Sequence, residues 1–239
     1  SGDVRKAVKT LRRNGIENIS IDLMFGFPDE NLNDWQSDID EASSLGVQHI
    51  SAYSLMYEEG TPLFRLLNEK KIKEINEETS LKMYEMLIES LTNNGFEHYE
   101  ISNFALPGYR SKHNSSYWKQ IPYLGIGASA HSYNIVSRQW NIADVKDYIR
   151  FVNSSSHEYI EETEHLTDTE RYNDIITTTL RTSDGIDTCT LPQRHRDFIL
   201  KASQKHIALG NLSLDNGIIR LTRQGLFISD SIMVDLIEE

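Results

Sequence analysis

Two short, nearly unbroken apolar runs separated by a segment of helical periodicity set the tightest limit on what this chain can fold into. The first is Ile19-Ser20-Ile21-Asp22-Leu23-Met24-Phe25-Gly26-Phe27, stopped by Pro28; the second is His49-Ile50-Ser51-Ala52-Tyr53-Ser54-Leu55-Met56. Such runs predict buried strands, the first covered on both faces. Between them Trp35, Ile39, Ala42 and Leu45 recur at helical spacing up to Gly46, and Val4, Ala7, Val8 and Leu11 do the same up to Gly15. The order is helix, strand, helix, strand, which implies parallel pairing through a right-handed crossover. Two strands alone leave open edges, and independent stability usually needs three or more. This stretch therefore reads as one slice of a larger α/β barrel whose other slices precede Ser1. A first residue other than Met, followed at once by a helix, fits a processed or recombinant beginning.

Further along, Asn76 to Gly95 carries Leu81, Tyr84, Leu87, Ile88 and Leu91 on one face, with acidic residues in its first turn, and predicts a helix. A middle region, roughly 96 to 145, holds strand-like pieces His98 to Phe104 and Tyr133 to Trp140. After the polar Ser154-Ser155-Ser156, Thr167-Asp168-Thr169-Glu170 has capping-box spacing and opens a helix through Leu180. A helix from Gln193 to Leu209, a hairpin at Asn216-Gly217 and a last helix after Thr222 follow in an order typical of winged-helix-like domains.

Composition excludes several classes of function. A net charge of −12 repels phosphate backbones and anionic surfaces. The basic residues around Arg194, Arg196, Lys201, Lys205, Arg220 and Arg223 could suggest DNA binding, but residues 166 to 239 hold 8 basic and 11 acidic side chains, so a solvated face is the better reading. Nucleic acid is not an expected partner. The single cysteine, Cys189, permits no internal disulfide and no cysteine-ligated cluster within one chain. No apolar run approaches the roughly 20 residues that span a bilayer, and no signal pattern opens the chain, so the cytoplasm is the expected compartment.

His98, Tyr99, His113, Asn114, Tyr117, Trp118, Tyr123, His131 and Tyr133 crowd into the middle region. A porphyrin site needs flat aromatic walls, polar groups for its propionates and often an imidazole facing iron, and these residue types supply all three. An aromatic core with histidines hydrogen-bonded inside it is the other reading. Gly125-Ile126-Gly127-Ala128-Ser129-Ala130 only superficially matches a dinucleotide-binding fingerprint, because it runs into His131-Ser132-Tyr133-Asn134; a tight turn with close backbone approach is expected instead. Asp22 interrupts an apolar strand, which implies either a ligand at the strand end or a salt bridge to a neighbouring helix.

Taken in order, Ile21 to Pro28, His49 to Leu55 with Glu58-Glu59-Gly60-Thr61-Pro62, Tyr99-Glu100-Ile101-Ser102-Asn103-Phe104-Ala105, His113-Asn114-Ser115-Ser116-Tyr117-Trp118, Gly125 to Ser132, Leu180-Arg181-Thr182 through Asp187, and Leu221 to Gly225 resemble a known family. It comprises the radical-SAM oxygen-independent coproporphyrinogen oxidases and the related HemW-type haem chaperones; the central motifs resemble the latter. The resemblance implies an α/β (α+β) fold: a partial radical-SAM (β/α) barrel slice over 1–75, a helix and aromatic, histidine-rich β region over 76–165, and a C-terminal winged-helix-like domain over 166–239. It implies that Asp22 and Met24 lie near S-adenosylmethionine, and that His113, Asn114, Tyr117 and Trp118 contribute to haem binding. The family's three-cysteine motif for a [4Fe–4S] cluster would lie before Ser1. The loop Pro28-Asp29-Glu30-Asn31 stands where the family usually carries Gln-Thr. The implied function is binding haem and delivering it to haem-requiring proteins. The alternative is oxidative decarboxylation of coproporphyrinogen III.

Overall fold

The computed structural model describes residues 2–154 and 160–239, so Ser155 and Ser156 of the expected polar stretch lie outside the described residues. Contacts divide the chain into two units, Ser1–Ser111 and Lys112–Glu239.

In the first unit, α1 (Gly2–Arg13), β1 (Ser20–Phe25), α2 (Leu32–Ser44) and β2 (His49–Ser54) follow the order that the apolar runs predict. The helix α3 (Pro62–Asn68), α4 (Glu77–Asn93), β3 (Glu97–Glu100) and β4 (Asn103–Ala105) complete it. The strands form one four-stranded sheet in the order β1-β2-β4-β3, with β1 and β2 parallel and the other pairs antiparallel. The strand-like piece His98 to Phe104 is thus a hairpin rather than one strand, and it supplies the pairing that two strands alone would lack.

Trp35 of α2 is fully buried, lies 5.1 Å from the Phe25 ring and donates its indole N–H to the Met83 carbonyl of α4 at 2.9 Å. Ile39, Ile50, Met83, Leu87, Leu91 and Phe104 are likewise without exposure to solvent in this unit's core. Each such aliphatic or aromatic side chain stabilises the fold by about 1.5–3 kcal/mol relative to leaving it exposed. Leu81, expected on the same face of α4, is instead 38% exposed; Met83 takes the buried place. The helix α2 begins because the Asn31 side chain accepts from the backbone N–H groups of Asn33 and Asp34. Arg12 at the end of α1 donates to the carbonyls of Leu45 and Gly46, both at 2.8 Å, where α2 has ended.

One expectation fails in β1. Ile21, Leu23 and Phe25 are wholly or partly buried, but Ser20, Asp22 and Met24 are exposed, so this strand is covered on one face only. It is an edge strand, paired to β2 alone, and no layer covers its second face among the described residues. The apolar run reflected composition, whereas the structure shows alternation.

The second unit contains α5 (Lys112–Trp118), β5 (His131–Tyr133), β6 (Ser137–Asn141), α6 (Val145–Asn153), β7 (Ile160–His165) and α7 (Asp168–Thr179). After these come β8 (Ile186–Asp187), α8 (Gln193–Ala202), α9 (Gln204–Ala208), β9 (Leu212–Asp215), β10 (Ile218–Leu221), α10 (Arg223–Leu226) and α11 (Ser229–Leu236). Two three-stranded antiparallel sheets result, ordered β5-β6-β7 and β8-β10-β9. The expected strand from Tyr133 to Trp140 is a hairpin. Its turn holds because Asn134 Oδ1 accepts from the N–H groups of Val136 and Ser137 and from the Ser137 hydroxyl.

The capping box at Thr167 and Glu170 starts α7 as its spacing predicts. The predicted helix from Gln193 to Leu209 is broken at Ser203 into α8 and α9. The Asn216-Gly217 turn has φ of 51° and 81°, the left-handed pair that a two-residue hairpin needs. The helical layer closes on Tyr172, which stacks on His195 at 4.7 Å and donates to the Leu236 carbonyl at 2.9 Å.

Candidate functional site

In the first unit, strand register sets side chains in rows. Residues paired across neighbouring strands face the same side, so Asp22, Ser51 and Asn103 form one row over β1, β2 and β4, while Met24 and Tyr53 form the next. Asp22, Met24 and Tyr53 are exposed, whereas Ser51, Asn103 and the neighbouring Glu100 are buried. Asp22 makes no ion pair among the described residues and, being exposed, avoids the desolvation that a buried carboxylate would suffer. Glu100 accepts from the Asn103 amide and from the Ser102 N–H. The Asn103 side-chain oxygen is buried without a hydrogen-bond partner, which leaves an unused acceptor in this row.

Beside the row runs a chain that the sequence reading did not single out. Ser20 Oγ lies 2.8 Å from His49 Nδ1, and His49 Nε2 lies 2.8 Å from the Tyr99 hydroxyl, which also accepts from the Ser111 N–H. Burial pushes the His49 imidazole below its ordinary value, against the opposing charge of Asp22. A histidine opening an otherwise buried strand was the available signal. The Tyr99 phenol is pushed up, chiefly by burial, and stays protonated. Glu30, in the loop where the family usually has Gln-Thr, accepts from the backbone N–H groups of Gly26 at 2.6 Å and Phe27 at 3.0 Å, so this chain uses that position to close its own turn.

The crowded middle region divides between the units. His98 and Tyr99 pack in the first: His98 stacks on Phe104 at 4.3 Å, and Tyr99 is buried. For these two the hydrogen-bonded aromatic core is the correct description. In the second unit, the four-residue spacing of His113 and Tyr117 puts both on one side of α5, with ring centroids 5.0 Å apart. Tyr117 meets Tyr123 at 4.9 Å, and Tyr123 meets Tyr133 at 6.0 Å, so the rings form a continuous ladder. Asn114 and Trp118 share another side of α5. The Trp118 ring lies under the Arg181 guanidinium at 5.8 Å, its carbonyl accepts from Thr179 Oγ1, and its buried indole N–H has no hydrogen-bond partner.

His49, His98, His195 and His206 all engage ring nitrogens with neighbours. His113, like His131 and His165, is exposed and makes no side-chain hydrogen bond among the described residues; of these three, His113 alone stands on α5 beside Tyr117. The structure thus brings Asp22 and Met24 onto one strand face and His113, Asn114, Tyr117 and Trp118 onto one helix, the two sets belonging to different units.

The glycine-rich turn is built as expected. A Cβ on Gly125 would lie 2.2 Å from the His131 carbonyl oxygen, a distance that no side chain tolerates, while Tyr123 and Tyr133 exchange both backbone hydrogen bonds at 2.9 Å. Among the described residues no group of three or more His, Cys, Asp or Glu side chains could hold a metal ion, and no helix is long and apolar enough to cross a membrane.

Comparison with known proteins agrees with this architecture. Residues 166–228 match the HemN C-terminal domain. The chain is 32% identical over 234 residues to the heme chaperone HemW of Bacillus subtilis, covering 96% of this chain and 62% of that protein. It is 36% identical over 147 residues to the heme chaperone HemW of Lactococcus lactis, covering 62% of this chain and 39% of that one. Its fold is similar to that of the coproporphyrinogen III oxidase HemN of Escherichia coli, a radical SAM enzyme, with a TM-score of 0.72 and 17% identity over 98% of this chain and 58% of that one. The chain therefore spans less than two thirds of these relatives' length; its mixed helix-and-sheet fold matches that of HemN over this span, and its described residues form no closed barrel. With 32% identity to a heme chaperone HemW over 96% of its length and a HemN-type C-terminal domain, the chain is similar to the HemW-type family.

Proposed function

We propose that the protein to which this chain belongs binds haem in the cytoplasm and passes it to haem-requiring proteins, and that α5 carries the haem contact. The observation that carries this reading is His113: an exposed imidazole with no hydrogen bond to either ring nitrogen, at the head of a ladder of tyrosine rings. An imidazole whose ring nitrogens make no hydrogen bond is available to iron, and the ring faces offer the apolar wall that a porphyrin needs. Trp118 supports the helix from its buried side, and its unpaired indole N–H is a donor beside it. Asn114 shares that side.

S-adenosylmethionine would be held on the open face of β1. Asp22 would meet its cationic groups, Met24 would offer apolar contact, and the unpaired Asn103 oxygen would accept from an amino group. A [4Fe–4S] cluster does not fit this chain, whose single cysteine, Cys189, is exposed.

Titrating haem into the chain and following Soret absorption should give saturable one-to-one binding, weakened at least about tenfold by His113→Ala, with circular dichroism matching the parent. Equal binding by the variant would remove His113 from the site. The alternative is that the intact protein oxidatively decarboxylates coproporphyrinogen III, as the fold shared with HemN allows. Turnover of coproporphyrinogen by the full-length, cluster-reconstituted protein would establish that alternative in place of the chaperone.

A further inference from the structure

At its far end the tyrosine ladder borders a cleft with about 110 Å³ of room, lined among others by Tyr117, Gln120, Tyr133, Arg138 and Asp174. A single water needs roughly 10–15 Å³, so the space is several times what one water requires. Two donors in its wall have no partner. Tyr133 is only 7% exposed, and its hydroxyl is buried without a hydrogen bond; the Gln120 amide nitrogen is buried and equally unbonded. Buried donors without acceptors are uncommon in folded proteins, and each incurs the full desolvation penalty of its group. The Tyr133 hydroxyl sits among the charges of Asp174 and Arg138, which line the same cleft; burial, reinforced by Asp174, pushes its pKa up, so it remains an O–H donor.

Arg138 pairs with Asp174 and lies 3.7 Å from Glu164. Its charge is more than offset by these two carboxylates, and the buried groups without partners in the cleft wall are a pair of neutral donors beside aromatic rings. Two neutral donors match the two oxygens of a carboxylate. A carboxylate alone would gain little from neutral donors, but one attached to a flat apolar body would gain the ring contacts as well. Tyr117 belongs both to the His113 ring pair and to the wall of this cleft, so the two surfaces are continuous.

We propose that the cleft is a carboxylate subsite that receives one propionate of the porphyrin, with the Gln120 amide and the Tyr133 hydroxyl donating to its oxygens. The proposal rests on the haem reading and names the group that orients the ligand.

Haem and haem dimethyl ester, in which both propionates are capped, are titrated into the chain, its Tyr133→Phe variant and its Gln120→Leu variant. Haem should bind each variant about tenfold more weakly, the size of one hydrogen bond to a charged group. The ester should bind the parent more weakly than haem does and be indifferent to either substitution. Tyr133→Phe removes an unbonded hydroxyl, so its melting temperature should equal or exceed the parent's, which separates lost binding from lost fold. Unchanged haem binding by both variants overturns the subsite and leaves the haem reading intact. If the parent binds no haem, 3-phenylpropionate, a carboxylate carried on a flat apolar ring, becomes the probe: a saturable shift of the Gln120 side-chain amide resonances, absent in Tyr133→Phe, supports the carboxylate subsite while the haem reading fails. No such shift overturns both.

Discussion

The His49 ring lies between the Ser20 hydroxyl and the Tyr99 phenol, so both of its nitrogens are engaged, and its environment opposes a second proton. Burial holds its pKa below the ordinary histidine value of 6.5, so the unfolded chain takes up a proton at a higher pH than the folded chain does. The sign follows from linkage: stability from this group is present above pH 6.5 and is lost as pH falls from there through the lowered folded value. Thermal melts between neutral and mildly acidic pH should show a falling midpoint, and the fall should flatten in His49→Gln. A pH dependence identical in the variant would assign the loss to other groups. Asp235 and Glu238 act in a separate, more acidic window. Hydrogen bonds from Lys205 and from Arg194, respectively, head the interactions that hold their carboxyls below the ordinary range, so their contribution is lost only as pH falls through those lowered values. At this scale the sequence reading was uneven. His113 and Tyr117 stand out by type and spacing, but Gln120 and Asn103 gain significance only from the atoms that fail to surround them, which no residue pattern encodes.

Elements with strong local signals were legible and those made by distant contacts were not. The capping box of α7, the Asn-Gly hairpin and the acidic start of α4 are written in adjacent residues. Thr61 followed by Pro62, and Asp144 before Val145, are equally local cap signals for α3 and α6, so those helices could have been found. The hairpin of β3 and β4 differs: its turn at Ile101-Ser102 carries no glycine or asparagine and is held from outside, by Tyr84 donating to the Ile101 carbonyl and Ala52 donating to the Ser102 carbonyl. The turn between β5 and β6 conceals itself in another way, by placing Ile135 at a φ of 79°. A β-branched residue there is strained by about 1–2 kcal/mol, whereas asparagine tolerates the left-handed region. Since Ile135 is 46% exposed, Ile135→Asn loses little burial and should raise the urea midpoint, by about 1 kcal/mol of stability. A lowered midpoint would show that the Ile135 side chain contributes packing that outweighs the strain.

For the whole molecule, a charge of −12 dominates any encounter with a polyanion. The basic residues of the C-terminal region are partly committed elsewhere: Arg194 binds Glu238, Lys205 binds Asp235 and Arg220 donates to the Ser183 carbonyl. Fluorescence anisotropy with labelled duplex DNA at about 0.15 M salt should therefore show no saturable binding, whereas micromolar affinity with a steep salt dependence would reopen nucleic acid as a partner. The fold class was legible at this scale because alternating helices and strands constrain layering strongly. The openness of β1 was not, since an apolar run looks the same whether one face or two are covered.

Glu238 accepts from Arg194 and His195 through its side chain, while its backbone exchanges two hydrogen bonds with the Asn173 side chain, each at 2.9 Å. One residue thus ties α7 to α8 around the stacked Tyr172 and His195 rings. The amides of these two helices should share a common opening event, exchanging with deuterium at rates that rise together whenever the segment after Leu236 detaches.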